Sequence, residues 1–324
     1  MGPAVRVTIT GATGLIGTAL VAVLRERGVA VTVLTRDVER ARARLAAAGA
    51  GSEVEAVSWD PLGRAAPASA LAGADAVINL AGEPIAQRWS ARAKRALRDS
   101  RVEGTHNLLA GLEQAQPRPP VLLNSSAVGY YGARGEEPLD EDAPAGQGFL
   151  PELCVEWEAA AKAAGELGMR VAMMRTGVVL DRSDGALAKM LPAFRLGLGG
   201  PIASGRQFIS WIHLRDLVGI YLAALTDERW SGAVNATAPE PVNSREFARQ
   251  LGRALGRPAL FPLPGVALRA LYGEMSEVLT TGARVLPAKA LVLGYEFAYP
   301  QLAPALRAAL AARHERARIA RRRP

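Results

Sequence analysis

The opening segment constrains the fold more than any other. Val5 to Thr10 reads as a strand and runs straight into Gly11-Ala12-Thr13-Gly14-Leu15-Ile16-Gly17, which opens an apolar-periodic stretch reaching Arg27. A strand that turns on glycines into a helix is how a parallel sheet cradles a diphosphate. Gly11 permits the tight turn, Gly14 lets the phosphates approach the backbone, and Gly17 lets the helix pack on the strand. The helix N-terminus adds unpaired N–H groups and the positive end of its dipole. Strand, turn and helix stand in register, so dinucleotide binding is expected rather than a purely structural turn.

Beyond Arg27, short apolar runs alternate with longer amphipathic segments. Strands are expected at Ala30–Leu34, Val54–Ser58, Asp75–Leu80, Val121–Ser125 and Arg170–Met174, with one long helix over Ser90–Ala115 and another over Glu152–Leu167. This alternation predicts an α/β fold, a Rossmann doubly wound parallel sheet with a smaller mixed C-terminal substrate-side domain. The expected division is 1–180 for the dinucleotide-binding domain, completed by about 208–238. Residues 181–207 and 239–312 form the substrate-side lobe, where Pro258, Pro262, Pro264 and Pro287 interrupt the helices, and 313–324 form a basic tail.

The second strand ends in Leu34-Thr35-Arg36, where an NAD-selective chain carries a carboxylate for the adenosine ribose. Arg36 suits a 2′-phosphate instead, so NADP is expected ahead of NAD, although Asp37 next door offers an alternative ribose partner. Net charge is +8, but Arg313 to Pro324 holds six Arg against one Glu and supplies +5 of it. That tail has no aromatic residue on which bases stack, so no nucleic acid is expected. Cys154 is the only cysteine and His106, His213 and His314 are scattered, so neither a disulfide nor a metal site is expected. The single thiol, the lack of a leader-like N-terminus and the lack of a long apolar run point to the cytoplasm and away from a membrane.

Several motifs together resemble the extended short-chain dehydrogenase/reductase superfamily, and more narrowly its atypical epimerase-family oxidoreductase branch. They are the glycine turn, Asn79 to Pro84 (N-L-A-G-E-P), Ser100-Arg101-x-x-Gly104-Thr105, Ser126 to Gly132 (S-A-V-G-Y-Y-G), Arg175 to Leu180 (R-T-G-V-V-L) and Ser210 to His213 with Asp216. Pro262 to Met275 and Arg284 to Pro287 are similar to that branch's own terminal domain, which has no assigned function. The resemblance implies a nicotinamide cofactor across the strand ends and a substrate between the Rossmann domain and the smaller lobe. It places Gly11, Thr13, Gly14, Leu15, Ile16 and Gly17 around the diphosphate, Arg36 at the adenosine ribose, and Leu80, Ala81 and Gly82 along the cofactor's inner face. Asp60 matches a position that approaches the adenine, or it is an exposed turn carboxylate. Ser126 would hold a substrate oxygen, and Arg175, Arg206 and Gln207 lie where related epimerases hold substrate.

One part of the superfamily pattern is missing. A proton-transferring tyrosine and a lysine four residues later are expected after the serine motif, but the best register puts Leu150 and Cys154 there. Leucine carries no proton, and an un-ionised thiol supplies no cation. Tyr131 and Glu83 follow strand ends and are the replacement candidates for proton transfer, with packing and capping as their alternative roles. Two functions stay open. One is an NADP-dependent oxidoreductase or epimerase-like enzyme on a small hydroxyl or carbonyl substrate, sugar-derived in one variant. The other is an NADP-binding regulatory or scaffold protein with little turnover, linked by its resemblance to cell division. A homodimer is the assembly that the superfamily suggests.

Overall fold

The computed structural model describes residues 5–50 and 54–319. Seven strands form the central sheet: β1 (Arg6–Thr10), β2 (Ala30–Thr35), β3 (Glu55–Ser58), β4 (Ala76–Asn79), β5 (Val121–Ala127), β6 (Arg170–Thr176) and β7 (Gly232–Ala236). Their order is β7-β6-β5-β4-β1-β2-β3. The pairings β1–β2, β2–β3, β1–β4 and β4–β5 are parallel, with Thr10 opposite Leu34 on one side and Asn79 on the other. All four residues of β4 and the last four of β1 are buried, as expected for strands covered by helices on both faces. Successive strands are added on one side of β1 up to β3 and on its other side from β4 on, and this reversal of strand order opens a crevice beyond the carboxyl ends of β1 and β4.

Five helices matter to that crevice: α1 (Leu15–Glu26), α2 (Val38–Ala47), α3 (Ala91–Asp99), α4 (Val102–Gln114) and α5 (Phe149–Lys162). The expected single helix over Ser90–Ala115 is two, α3 and α4, broken at Ser100 and Arg101. Ser100 Oγ donates to the Leu97 carbonyl and accepts the Glu83 N–H, so the break is tied to the loop after β4. A serine that bonds both its own preceding turn and a neighbouring loop ends a helix more readily than it continues one.

The chain divides into two compact units. The first runs to Tyr130 and adds Gln147–Arg175 and Val218–Val234; its core gathers Leu34, Trp59, Leu71, Leu108, Leu122 and Met173. The second takes Tyr131–Gly146, Thr176–Leu217 and everything from Asn235; its core gathers Leu180, Phe194, Trp211, Phe247, Leu251 and Leu306. Residues 131–146, expected within 1–180, cluster with the second unit. Of the stretch 208–238, only β7 joins the central sheet. Trp211–His213 pairs in parallel with Val178–Leu180, and Phe208–Ile209 pairs antiparallel with Val242–Asn243. The last helix spans Leu302–Ile319, so the backbone of the expected tail is helical as far as Ile319, and residues 320–324 lie outside the described residues. Among the described residues no helix is long and apolar enough to cross a membrane.

Candidate functional site

The first unit carries a cleft of about 360 Å³ lined by Thr10 to Gly14, Leu34 to Arg36, Arg44, Trp59, Pro61, Leu62, Leu80 to Pro84 and Ser100. Its floor is the glycine turn. Gly11 has φ +65°, and a Cβ there would stand 2.6 Å from the Leu80 carbonyl carbon, so neither the conformation nor the space admits a side chain. A Cβ at Gly17 would stand 2.5 Å from Ala12 Cα, which is how α1 lies against the turn. Gly14 is the N-cap of α1 and makes no side-chain cap bond, leaving the first-turn N–H groups without a side-chain acceptor beside the cleft. A diphosphate supplies the oxygens such a helix end lacks. Leu15, Ile16 and Gly17 lie in α1 and support the loop; the lining itself stops at Gly14.

At the other end stand two guanidinium groups, Arg36 after β2 and Arg44 on α2. Arg36 reaches into solvent, with its side chain 70% exposed, and its Nη1 lies 3.8 Å from Glu83 Oε1. Asp37 is turned away: its Oδ1 accepts the Arg40 N–H at 3.0 Å and caps α2. Asp60 likewise closes its own turn, Oδ1 accepting the Leu62 N–H at 3.2 Å, while its neighbours Trp59, Pro61 and Leu62 supply the wall.

Buried polar bonds beneath the cleft explain the N-L-A-G motif. Thr10 Oγ1 donates to Asn79 Oδ1 at 2.6 Å and accepts the Leu80 and Ala81 N–H groups at 3.2 Å. Asn79 Nδ2 donates to Asn124 Oδ1 at 2.7 Å and Thr105 Oγ1 at 3.1 Å, and Trp157 Nε1 also donates to Thr105. One amide thus locks β1, β4, β5, α4 and α5 at the strand ends, and Leu80, Ala81 and Gly82 are held as a flat inner wall.

Ser126, near the end of β5, is buried and its Oγ donates to Glu158 Oε1 at 2.7 Å. Glu158, on α5, is gripped by Arg175, and the Arg175 guanidinium lies 3.5 Å from the centre of the Tyr130 ring. Arg175 is therefore neutralised inside the protein. Glu158 escaped the sequence reading, although it falls one helical turn after Cys154 and two after Leu150, on the face those residues share. Leu150 and Cys154 face the segment after β5: a Cβ at Gly129 would stand 3.3 Å from Leu150 Cδ1 and 3.9 Å from Cys154 Sγ. Burial pushes the Cys154 thiol up to about 12, helped by Glu158 and opposed by Arg101.

In the second unit, Tyr131 is fully buried and its hydroxyl lies 2.6 Å from Asn235 Oδ1 and 2.9 Å from the Asp140 carbonyl. Arg206 is exposed, whereas Gln207 is buried and donates Nε2 to the Ile202 and Leu279 carbonyls at 3.0 and 2.9 Å. His213 accepts the Arg215 N–H on Nδ1, and burial pulls its imidazole down to about 4. No group of three or more His, Cys, Asp or Glu able to hold a metal occurs among the described residues.

The model of the NAD dependent epimerase/dehydratase family matches residues 7–236, more than half of the chain. The chain belongs to that family. A domain of unknown function, DUF1731, matches residues 263–309, so this is the atypical short-chain dehydrogenase/reductase branch with its own C-terminal domain. Relatives in the epimerase family are similar along nearly their whole length. The chain is 42% identical over 306 residues to the chloroplastic epimerase family protein SDR39U1 homolog of Arabidopsis thaliana, covering 93% of this chain and 86% of that one. It is 39% identical over 307 residues to epimerase family protein SDR39U1 of Homo sapiens, covering 93% and 98%. Among solved structures, human epimerase family protein SDR39U1 (isoform 2) with NADPH superposes with a TM-score of 0.82 at 37% identity, covering 93% of this chain and 98% of that one. The nucleoside-diphosphate sugar epimerase from Corynebacterium glutamicum superposes with a TM-score of 0.75 at 32% identity, covering 96% and 59%.

Proposed function

We propose that this epimerase-family protein binds NADP(H) in the cleft of its first unit and acts as an oxidoreductase or epimerase-like enzyme on a small hydroxyl or carbonyl substrate. The observation that carries the cofactor choice is the cleft's end wall, where Arg36 and Arg44 present two cations while the Asp37 carboxylate is committed to capping α2. Two guanidinium groups stand there against the one Glu83 carboxylate, which pairs with Arg36, so the wall keeps a net positive charge that favours a 2′-phosphate. The NADPH in the human relative's structure supports the same choice. Gly11 to Gly14 and the first turn of α1 would hold the diphosphate, Trp59, Pro61 and Leu62 the adenine, and Leu80 to Gly82 the inner face.

When bound, the nicotinamide supplies the hydride acceptor or donor. The protein's part is to orient the substrate and move a proton. Ser126 has already given its hydrogen to Glu158, so toward a substrate hydroxyl its Oγ is an acceptor. Glu158 Oε1 accepts the Ser126 hydrogen and Arg175 pairs with the same carboxylate, which fixes Ser126 Oγ in place. In this reading Glu83 helps set the charge around Arg36, and Tyr131 holds the core of the second unit. The remaining expected substrate contacts, Arg206 and Gln207, belong to the second unit.

A second reading, NADP binding without turnover, is favoured by the sequence register that puts Leu150 and Cys154 at the expected tyrosine and lysine positions, since neither residue transfers a proton there. Purified protein incubated with NADPH and a panel of aldehydes, ketones and nucleotide sugars separates the two. Oxidation of the cofactor that Ser126→Ala abolishes supports the enzyme. A higher melting temperature with NADPH but no oxidation across the panel supports the binding protein.

A further inference from the structure

The break between α3 and α4 places Arg101 in an unusual position for a cation. Its guanidinium is half-buried, donates Nη1 to the Leu97 carbonyl at 3.1 Å and Nη2 to the Glu83 carbonyl at 3.0 Å, and stacks 5.2 Å from the Trp157 ring centre. A Cβ at Gly82 would stand 3.1 Å from its Cζ, so the glycine of the inner wall is what lets the cation come so close. Among the described residues no carboxylate lies within ion-pair distance of it; the Glu83 carboxylate acts on it from farther away and is paired with Arg36. A guanidinium drawn out of water onto two neutral carbonyls is costly unless a negative group completes its surroundings. Only two of its five N–H groups are used.

Its place in the sheet says which negative group. Arg101 stands between the loop after β4 and α5, bonded to the Glu83 carbonyl on one side and stacked on Trp157 on the other. The adenosine wall lies on the β2 side of β1, at Arg36 and Arg44. Arg101 lies on the opposite, β4–β5 side, toward which the second half of a dinucleotide runs in this topology.

We propose that Arg101 is the cation for the nicotinamide half of the bound dinucleotide, meeting its ribose-phosphate from behind Gly82 and replacing the lysine whose position Cys154 occupies. The inference rests on the NADP reading above and adds a residue to it. The charge comes from the α3–α4 break instead of from α5, which explains why a neutral thiol is tolerated at position 154.

Calorimetric binding of NADPH and of 2′,5′-ADP, which carries only the phosphorylated adenosine half, tests this with R101K and R101Q. Glutamine keeps an N–H for the Glu83 carbonyl but no charge, whereas lysine keeps the charge. The expected result is NADPH affinity within about threefold of wild type for R101K and weakened at least tenfold for R101Q, with 2′,5′-ADP affinity unchanged in both. Equal NADPH affinities for the two variants overturn the assignment. So does a parallel loss of 2′,5′-ADP, which would mark Arg101 as a support for the Glu83 loop. If R101Q does not fold, R101K alone decides: NADPH affinity lost with melting temperature retained overturns the proposal. Wild-type protein that binds neither ligand overturns the NADP reading together with it.

Discussion

Arg175 grips Glu158 side-on, Nε to Oε1 at 2.8 Å and Nη2 to Oε2 at 2.9 Å, and Ser126 donates to the same Oε1. Both charged side chains are almost wholly buried. Removing one partner of such a pair leaves an uncompensated charge and costs about 3–5 kcal/mol, whereas replacing both with apolar residues of similar volume is often neutral. Glu158→Gln is therefore expected to lose about that much stability in denaturant unfolding, and the double variant Glu158→Leu/Arg175→Met to recover most of it. A Glu158→Gln protein as stable as wild type would show that the buried pair contributes no net stability.

The glycine turn makes a second prediction. The Cβ of Gly17→Ala would lie 2.5 Å from Ala12 Cα and 2.6 Å from the Gly11 carbonyl oxygen, both backbone atoms that cannot swing aside. Overpacking of this kind costs about 1–3 kcal/mol, and here it pushes α1 off the turn. The variant should fold with a lowered melting temperature and gain much less stabilisation from NADPH than wild type does. An unchanged thermal shift would separate the turn from the cofactor.

Cys154 is expected to be inert. With its thiol pushed up to about 12 by burial, the nucleophilic thiolate is scarce at neutral pH. An aromatic disulfide reagent should leave the native protein unlabelled at mildly alkaline pH and label one thiol per chain after denaturation. Fast labelling of the native state would reinstate Cys154 as a candidate for the missing chemistry.

His213 gives a pH signature. Burial holds its folded imidazole near 4 against an ordinary 6.5, so on acidification the unfolded chain binds this proton first. The stability that His213 contributes is complete above about 6.5 and is lost as the pH falls toward 4. Urea midpoints of wild type and His213→Gln, compared across that range, should converge as the pH drops. A constant difference would mean that the histidine titrates normally.

Much of this was legible in the chain itself. Strands β1, β2, β4 and β5 follow from apolar runs that end in small polar residues, and the glycine turn announces its own backbone. The break at Ser100 and Arg101 was hidden because a charged, helix-favouring stretch surrounds it, and the bonds that end α3 run to the loop after β4, far away in sequence. Arg44 was missed in the lining of the cleft although Asp37 and Glu39 mark the start of the helix that carries it. Recognising Asp37 as an N-cap would have removed it as a ribose partner. Glu158 carries no signal of its own in the sequence, because nothing local distinguishes a buried glutamate from an exposed one until Arg175 is seen across from it. The spread of residues 208–217 and 131–146 into the second unit likewise depends on pairings between very short strands, which carry little periodicity.

The central claim is that the first unit selects a phosphorylated dinucleotide through Arg36 and Arg44. Titration calorimetry of the wild-type protein with NADPH and with NADH, at one salt concentration, tests it most directly. Saturable NADPH binding at least about tenfold tighter than NADH, with the difference abolished by Arg36→Asp, is the predicted result. Equal affinities for the two coenzymes, or no saturable heat with either, would contradict it.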